Sequence, residues 1–356
     1  MNRPGTSALD RPAANPSAAV TQPQRIALID FAKGIGIFLV VLGHVLRGLV
    51  GPVLEENALT QILDQWIYAF HMPLFFFLSG YLAERSVSKS WGALVSSKLR
   101  AIAYPYFLWS VIQETLRHLA GISDQPLSSL WRILYLPILQ FWFLYVLFAV
   151  WLFYVLLRKL EMPIAVCFVG FALLFASEMI DLSLGPWPVL YMMRLNGIYF
   201  ALGAIASGVD WVERFDKVQR SILLPSAFCG FGLIALAAIV GLTQLESWLF
   251  PLAVLGIVAS LSLAAYLQPL QQYSFLQAWG LCSLEIFVAH TIFTAAARIL
   301  LQQGLHLDQP IIHVIVGTAA GLGASLLLCR LSVQLRIPYL FRFQSVSASG
   351  RSPKIS

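Results

Sequence analysis

The amino-acid sequence contains ten apolar stretches, each close to the ~20 residues with which a helix crosses ~30 Å of hydrocarbon. They lie near residues 27–49, 66–83, 101–120, 136–157, 163–180, 189–208, 221–241, 247–266, 279–301 and 311–331. Each is uniformly apolar, unlike the short alternating strands of membrane barrels. The segments between them are too short for a soluble domain. The sequence therefore predicts an all-α polytopic membrane protein with about ten transmembrane helices in one domain, residues 25–335.

The composition supports this class. Apolar residues make up 59% of the chain and charged residues 11%, against roughly 45–50% and about 25% in soluble globular proteins. So little polar surface excludes a soluble nucleotide-binding enzyme and a secreted domain held by disulfides. The four cysteines lie inside apolar stretches without metal-like spacing, and we interpret them as small core residues. We expect no metal site.

The distribution of charge predicts the orientation. If the N-terminus is cytoplasmic, most of the 23 basic residues fall on inner segments, as the positive-inside rule requires. This explains the net charge of +6 without nucleic-acid binding. Residues 1–24 are rich in Pro, Ala, Ser and Asn, which predicts a disordered cytoplasmic tail. Residues 336–356 are predicted to form a basic cytoplasmic tail, so both termini are expected inside.

Ionisable residues inside an apolar span cost several kcal/mol and are therefore functional candidates. The first span carries Asp30, Lys33 and His44. Lys33 and His44 are eleven residues apart, which places them about 20° apart around the helix and ~16 Å apart along it. They share one face, with His44 in the outer half, and Asp30 can pair with Lys33. The alternative is a Lys33 that reaches the membrane surface beside Asp30, and a His44 bonded in a helix interface.

Other spans place polar residues at a similar depth. His71, His290 and Glu114 are expected near the level of His44, which predicts a polar chamber between helices. Pro73 follows His71 and should free a backbone carbonyl there. Arg194 could supply a cation to the chamber or extend to the membrane surface instead, and the same holds for Arg298.

The predicted cytoplasmic loop from Arg85 to Arg100 carries four cations. It either only enforces the topology or binds the phosphates of a cofactor.

Five motifs resemble one known family. They are IDFAKGIGIFLVVLGH at 29–44, FHMPLFFFLSGYL at 70–82, KLRAIAYPYFLW at 98–109, FWFLYVLF at 141–148 and CSLEIFVAH at 282–290. Together they resemble the integral-membrane acyltransferase-3 family, in its fucose 4-O-acetylase-like branch. The family pattern of a basic residue and a histidine in the first span is matched by Lys33 and His44. Its paired arginines before the third span appear only as Lys98 and Arg100, with altered spacing.

The resemblance implies transfer of an acyl group from cytoplasmic acyl-CoA, usually acetyl-CoA, to a sugar hydroxyl across the membrane. It makes His44 the catalytic histidine and Lys33 part of the donor site. We expect a glycan or glycolipid acceptor and a bacterial inner membrane location; the acyl group (acetyl, succinyl or longer) and the oligomeric state stay open.

Three sets of residues carry this hypothesis. The residues predicted to take part in catalysis are His44, Asp30 and His71. Those predicted to hold the donor are Lys33, Lys98, Arg100 and Arg85. Those predicted to orient the acceptor or the oxyanion are Glu114, Arg194, Glu285 and His290. His44 is expected to act as a general base, and an acyl-histidine intermediate is a variant of the same scheme. The alternatives are a transporter or flippase of small anions or lipid-linked sugars, and a signalling or scaffold protein.

Overall fold

The computed structural model describes residues 26–123, 125–209, 211–337 and 339–341. The predicted tail at residues 1–24 lies outside these residues, and so does most of the predicted tail at 336–356, of which residues 336, 337 and 339–341 are described. The described chain contains fourteen α-helices and no β-strand. The helices are α1 (Ala27–Leu49), α2 (Ala58–Tyr68), α3 (His71–Glu84), α4 (Trp91–Lys98), α5 (Tyr104–Leu119), α6 (Trp142–Lys159), α7 (Ile164–Met179), α8 (Pro188–Ala206), α9 (Trp211–Lys217), α10 (Arg220–Ile239), α11 (Glu246–Leu267), α12 (Ser274–Leu281), α13 (Ser283–Ile299) and α14 (Pro310–Gln334). The predicted all-α class is confirmed.

A helix occupies each of the ten predicted stretches. Eight helical segments of the described chain are long and apolar enough to cross a bilayer. The remaining two predicted stretches correspond to α7, which is apolar but shorter, and to α5, whose apolar residues are interrupted by polar ones. The protein is therefore an integral membrane protein, while the number of crossings and the side of each terminus stay predictions.

Helix α1 lies at the centre of the bundle and packs against α3, α11, α12, α13 and α14. Its crossing with α12 is close because Gly34 and Gly280 face the opposing backbones. A Cβ atom at Gly34 would overlap the Leu276 carbonyl, and one at Gly280 would overlap the Asp30 carbonyl. Small residues allow such close contact between membrane helices. We call the end of the bundle where α1 begins the inner end, and the opposite end the outer end.

The second predicted span is broken where Pro73 requires it. Helix α2 ends at Tyr68 and α3 begins at His71, so Ala69 and Phe70 form the joint. Pro73 has no N–H group to donate to the Ala69 carbonyl four residues earlier, which weakens the helix at that point. The break makes His71 the first residue of α3, facing the bundle interior with 1% exposure.

Candidate active site

A cavity of about 790 Å³ opens between α1, α2, α3, α5, α13 and α14 at the outer end, and we call it the outer cavity. Its polar lining residues are His44, Arg47, Tyr68, His71, Gln113, Arg117, Gln140, Thr291, Thr294, Arg298 and His313. The structure therefore brings His44 and His71 together at one cavity. Cavities of this size, with a few polar groups in an apolar wall, are typical of small-molecule sites.

Three histidines of the bundle share one local geometry. In each, Nδ1 lies within hydrogen-bond distance of the backbone carbonyl four residues earlier on the helix. The pairs are His44 with Val40 (2.8 Å), His71 with Ile67 (2.7 Å) and His290 with Ile286 (3.0 Å). A carbonyl oxygen only accepts, so Nδ1 carries the hydrogen in each neutral ring and Nε2 keeps its lone pair. Each imidazole is thereby fixed in the tautomer that a general base at Nε2 requires.

His44 and His290 lie in contact. Their ring centroids are 4.9 Å apart and their planes meet at 72°. His44 is half-buried and lines the outer cavity, whereas His290 is fully buried behind it. Within the described part of the chain, Nε2 of His290 has no hydrogen-bond partner. The pair therefore consists of one imidazole that faces the cavity and one that supports it from the core.

The outer cavity also contains charged and aromatic groups beside His71. The Tyr68 ring meets the His71 ring edge-on at 4.6 Å. The Arg47 guanidinium lies over the Tyr68 ring, 3.2 Å from its centroid, and pairs with Asp64 at 2.5 Å. Asp64 neutralises the charge of Arg47. The Arg47 and Tyr68 side chains therefore offer hydrogen-bond donors to the outer cavity with little net charge.

A buried polar cluster joins α5, α13 and the segment just before α6 at the cavity wall. The Gln140 amide donates to Gln113 Oε1 at 2.7 Å and to the Thr291 hydroxyl at 3.0 Å. The Thr291 hydroxyl donates to the same Gln113 oxygen at 3.0 Å. The Gln113 amide donates one hydrogen to Gln140 at 3.3 Å and has a second hydrogen to donate. Sequence reasoning missed this cluster, although a glutamine inside an apolar span is a signal of the same kind as a histidine.

His313 was also missed. It is buried near the start of α14 and lines the outer cavity. Its Nε2 lies 2.6 Å from the Leu307 carbonyl, which leaves Nδ1 as the acceptor nitrogen. A fourth imidazole therefore reaches the cavity, and its place in an apolar stretch was the available signal.

Glu114 lies beside the outer cavity and does not line it. It lines a side cavity of about 450 Å³, which shares Arg117, Ile122 and Leu139 with the outer cavity. Glu114 is paired with Arg117 at 3.1 Å and accepts from Ser123. Its carboxylate therefore holds Arg117 at the junction between the two spaces.

Arg194 is not part of the chamber. It is buried, pairs with Glu178 at 2.7 Å, and donates to Ser177 and to the Leu182 carbonyl. The physical reason is that a carboxylate on α7 is within reach, and a buried guanidinium needs such a partner. Arg194 thus links α7 to α8 and does not line the outer cavity, while its predicted role at the acceptor or the oxyanion stays a prediction. Asp30 and Glu285 are buried too, and neither lines the outer cavity nor the inner one described next.

A second cavity of about 210 Å³ lies towards the inner end, and we call it the inner cavity. Its polar lining residues are Lys33, Ser79, Lys98 and Ser283. Burial, together with the smaller effect of the positive charges of Lys33 and Lys89, lowers the pKa of Lys98 to about 8. A site that holds two neighbouring cations in partial burial favours an anionic ligand.

The other predicted donor residues lie outside this cavity lining. Arg85 donates to the Tyr81 hydroxyl at 2.6 Å, and Arg100 donates to Ser96 one turn earlier. Both side chains therefore fold back on their own helices. Of the loop cations, Lys98 is the one that the structure places beside Lys33.

Over the described ranges, no group of three or more His, Cys, Asp or Glu side chains is arranged to hold a metal ion. The expectation of a site without metal stays a prediction.

Comparison with known proteins identifies the family of the chain. The Acyltransferase domain family (Acyl_transf_3) matches residues 26–330. The chain is 29% identical over 180 residues, 49% of this chain and 46% of the relative, to "Nodulation protein NolL" of Sinorhizobium fredii (strain NBRC 101917 / NGR234). It is 27% identical over 213 residues, 57% of this chain and 54% of the relative, to "Nodulation protein NolL" of Mesorhizobium japonicum (strain LMG 29417 / CECT 9101 / MAFF 303099). The chain thus spans about half the length of the curated relatives it matches.

No solved structure matches the chain. The family match nevertheless covers most of the sequence, including both cavities and all five motifs. The chain belongs to the acyltransferase-3 family of integral membrane proteins.

Proposed function

We propose that this protein is a membrane O-acyltransferase that moves an acyl group, acetyl in the simplest case, from cytoplasmic acyl-CoA to a hydroxyl of a glycan or glycolipid on the other side of a bacterial inner membrane. Family membership supports acyl transfer. The observation that carries the proposal is the pair of cavities at successive depths of one helix, with Lys33 at the inner one and His44 at the outer one.

The inner cavity is proposed to receive the donor. Phosphate groups of acyl-CoA carry negative charge and bind well to lysine ammonium groups. Lys33 and Lys98 would hold these phosphates, with Arg85 and Arg100 nearby on the same end. Lys33 and His44 are ~16 Å apart along α1, so the extended thioester arm has to span that depth. The acyl carbon then arrives at the outer cavity while the charged nucleotide stays behind.

His44 is proposed to be the general base. As the acceptor hydroxyl oxygen attacks the thioester carbonyl carbon, its proton passes to Nε2 of His44. The Nδ1–H group stays bonded to the Val40 carbonyl, which stabilises the imidazolium. When the tetrahedral intermediate breaks its C–S bond, the imidazolium returns the proton to the leaving sulfur and yields the coenzyme A thiol. A positioned base of this kind contributes about 10²–10⁴-fold to the rate.

The remaining polar groups have positioning roles in this scheme. The second hydrogen of the Gln113 amide is our candidate donor to the oxyanion. His71 lines the cavity, and its acceptor nitrogen suits binding of a sugar hydroxyl group. Glu114 would act from the side cavity through Arg117. Arg194, Asp30 and Glu285 line neither cavity, and none of them is assigned a step in this scheme.

The test is acceptor-dependent consumption of acyl-CoA by the purified protein. Protein in detergent-permeabilised lipid vesicles, in which both faces are accessible, is mixed with acetyl-CoA labelled in the acetyl group and with the envelope glycan fraction of the source cells. Free thiol and label in the glycan are both measured. We expect His44→Ala to lower both below about a hundredth of the wild-type rate, while the protein remains folded and inserted. His118→Ala is the matched control, because His118 is exposed on α5 and lines none of the three cavities.

A rate above about a tenth of wild type in His44→Ala would contradict the general base assignment. Absence of acyl-CoA consumption in the wild type, with transport of the label instead, would favour the transporter alternative.

A further inference from the structure

Where one helix lines both cavities, its residues at the inner cavity lie nearer the inner end than its residues at the outer cavity. On α13, Ser283 and Leu284 line the inner cavity, whereas Thr291 and the residues beyond it line the outer cavity. Helix α3 runs in the opposite direction and shows the reverse order: His71 and Met72 line the outer cavity, and Phe75 and Ser79 line the inner one. The two cavities therefore lie end to end, with a common boundary between them.

Phe287 marks that boundary. Among the described residues it is the one side chain that lines both cavities, and its exposure is 5%. It follows Ser283 by one turn and precedes Thr291 by one turn. The Phe287 side chain therefore stands where a molecule would pass from the lysine end to the histidine end.

Three phenylalanine rings from three helices form a layer at this level. Phe143 of α6 lies edge-on between the other two, with ring centroids 5.3 Å from Phe287 and 5.9 Å from Phe75. On the remaining side the Phe75 ring lies against Gly36 of α1, where a Cβ would stand 2.9 Å from it. Edge-to-face aromatic packing of this kind is specific and stable. We call these three residues the phenylalanine partition.

We propose that Phe287 is the residue of this protein that selects the acyl donor. Its ring closes the partition when the site is empty, and its change of rotamer makes room only for a narrow acyl thioester. The inference rests on the proposed acyl transfer. The thioester carbonyl has to reach His44 from the lysine end, so it has to pass the Phe287 ring. A short acyl group passes if that ring changes rotamer, whereas a longer or branched acyl group needs more room than one ring vacates.

Closure has two further consequences. The partition keeps water away from a bound thioester when no acceptor is present, and so prevents its hydrolysis. In hydrolysis a water oxygen bonds to the carbonyl carbon and the C–S bond breaks, which yields the acid and the thiol. The partition also prevents a continuous water-filled path through the protein, because one water needs only about 30 Å³ and a removed phenyl ring vacates more than that. Phe287→Ala should therefore connect the cavities.

The first experiment measures the seal and needs neither donor nor acceptor. Vesicles with a trapped pH-sensitive dye carry wild type, Phe287→Ala or the matched control Phe76→Ala. Phe76 is also buried and packs on Phe143 at 5.2 Å, but it lines neither cavity. We expect proton entry to be about tenfold faster with Phe287→Ala than with the other two proteins, since water can enter only the widened path. Equal rates in all three proteins would overturn the proposal.

The second experiment measures donor selection with acetyl-, butyryl- and octanoyl-CoA, by release of free thiol. In the absence of acceptor, Phe287→Ala should hydrolyse acetyl-CoA about tenfold faster than wild type, and it should accept octanoyl-CoA, which the wild type rejects. Phe76→Ala should keep the wild-type pattern. Unchanged hydrolysis and unchanged chain-length preference in a folded Phe287→Ala would overturn the proposal.

Folding is checked by thermal unfolding in detergent, and Phe287→Leu replaces Phe287→Ala if the latter does not fold. A wild type that releases no thiol from any acyl-CoA, even with acceptor, contradicts the proposed function alone. The seal measurement then still decides whether Phe287 closes the passage.

Discussion

The imidazole rings of His44 and His290 meet edge to face, with centroids 4.9 Å apart, although the two residues come from the first and the thirteenth helix. His44 lines the outer cavity and His290 is buried behind it. Both rings donate Nδ1–H to their own helices. The contact therefore holds the His44 ring between its own helix and α13, which limits the directions in which Nε2 can point.

His290 is accordingly expected to position His44. We predict that His290→Ala lowers kcat about tenfold, since a misplaced base loses part of its 10²–10⁴-fold contribution, and leaves KM for acyl-CoA unchanged. His290→Gln, which fills the space, should recover part of kcat. Steady-state kinetics over a range of pH would check this. A rise in KM with unchanged kcat would show instead that His290 serves donor binding.

Donor binding should depend on pH through Lys98. Burial lowers its pKa to about 8, so the ammonium is charged below that pH and becomes neutral above it. We predict that kcat/KM for acyl-CoA falls as the pH rises through about 8, because the free enzyme loses a cation that binds phosphate. Lys98→Arg is the control: its guanidinium stays charged, so this fall should disappear. A fall that persists in Lys98→Arg would assign the titration to another group.

The buried pair of Arg194 and Glu178 should contribute to stability and not to chemistry. We predict that Arg194→Met lowers the free energy of unfolding by about 3–5 kcal/mol, because it leaves a buried carboxylate without its partner. The double variant Arg194→Met with Glu178→Leu should recover most of this loss. Thermal unfolding in detergent measures the stability, and the rate per folded molecule should stay at the wild-type level. If Arg194→Met were as stable as the wild type but inactive, Arg194 would have a role in the reaction instead.

Helix α1 shows how much could be predicted from the sequence. Its bounds agree with the predicted stretch 27–49, and Gly51 and Pro52, which disfavour helix, follow soon after its end. Regular helix geometry then gave the shared face and separate depths of Lys33 and His44. The break before His71 was also predictable, because Pro73 removes one particular backbone donor.

The polar contacts between helices could not be predicted in the same way. The bonds among Gln113, Gln140 and Thr291 depend on how three helices pack, and no spacing along the chain encodes that. The same holds for Glu178, which is near Arg194 only because α7 and α8 pack side by side. His313 lay in an apolar stretch like the other histidines, but its depth alone did not show which face it takes.

The central claim is a transfer across the membrane, with the donor at the inner end and the reaction at the outer cavity. It is tested most directly in sealed vesicles with one known protein orientation, where labelled acetyl-CoA and a soluble glycan acceptor are presented on chosen sides. The account predicts acylation only when acetyl-CoA is on the face that holds the start of α1 and the acceptor is on the opposite face. Equal acylation of an acceptor presented on the donor side would contradict it.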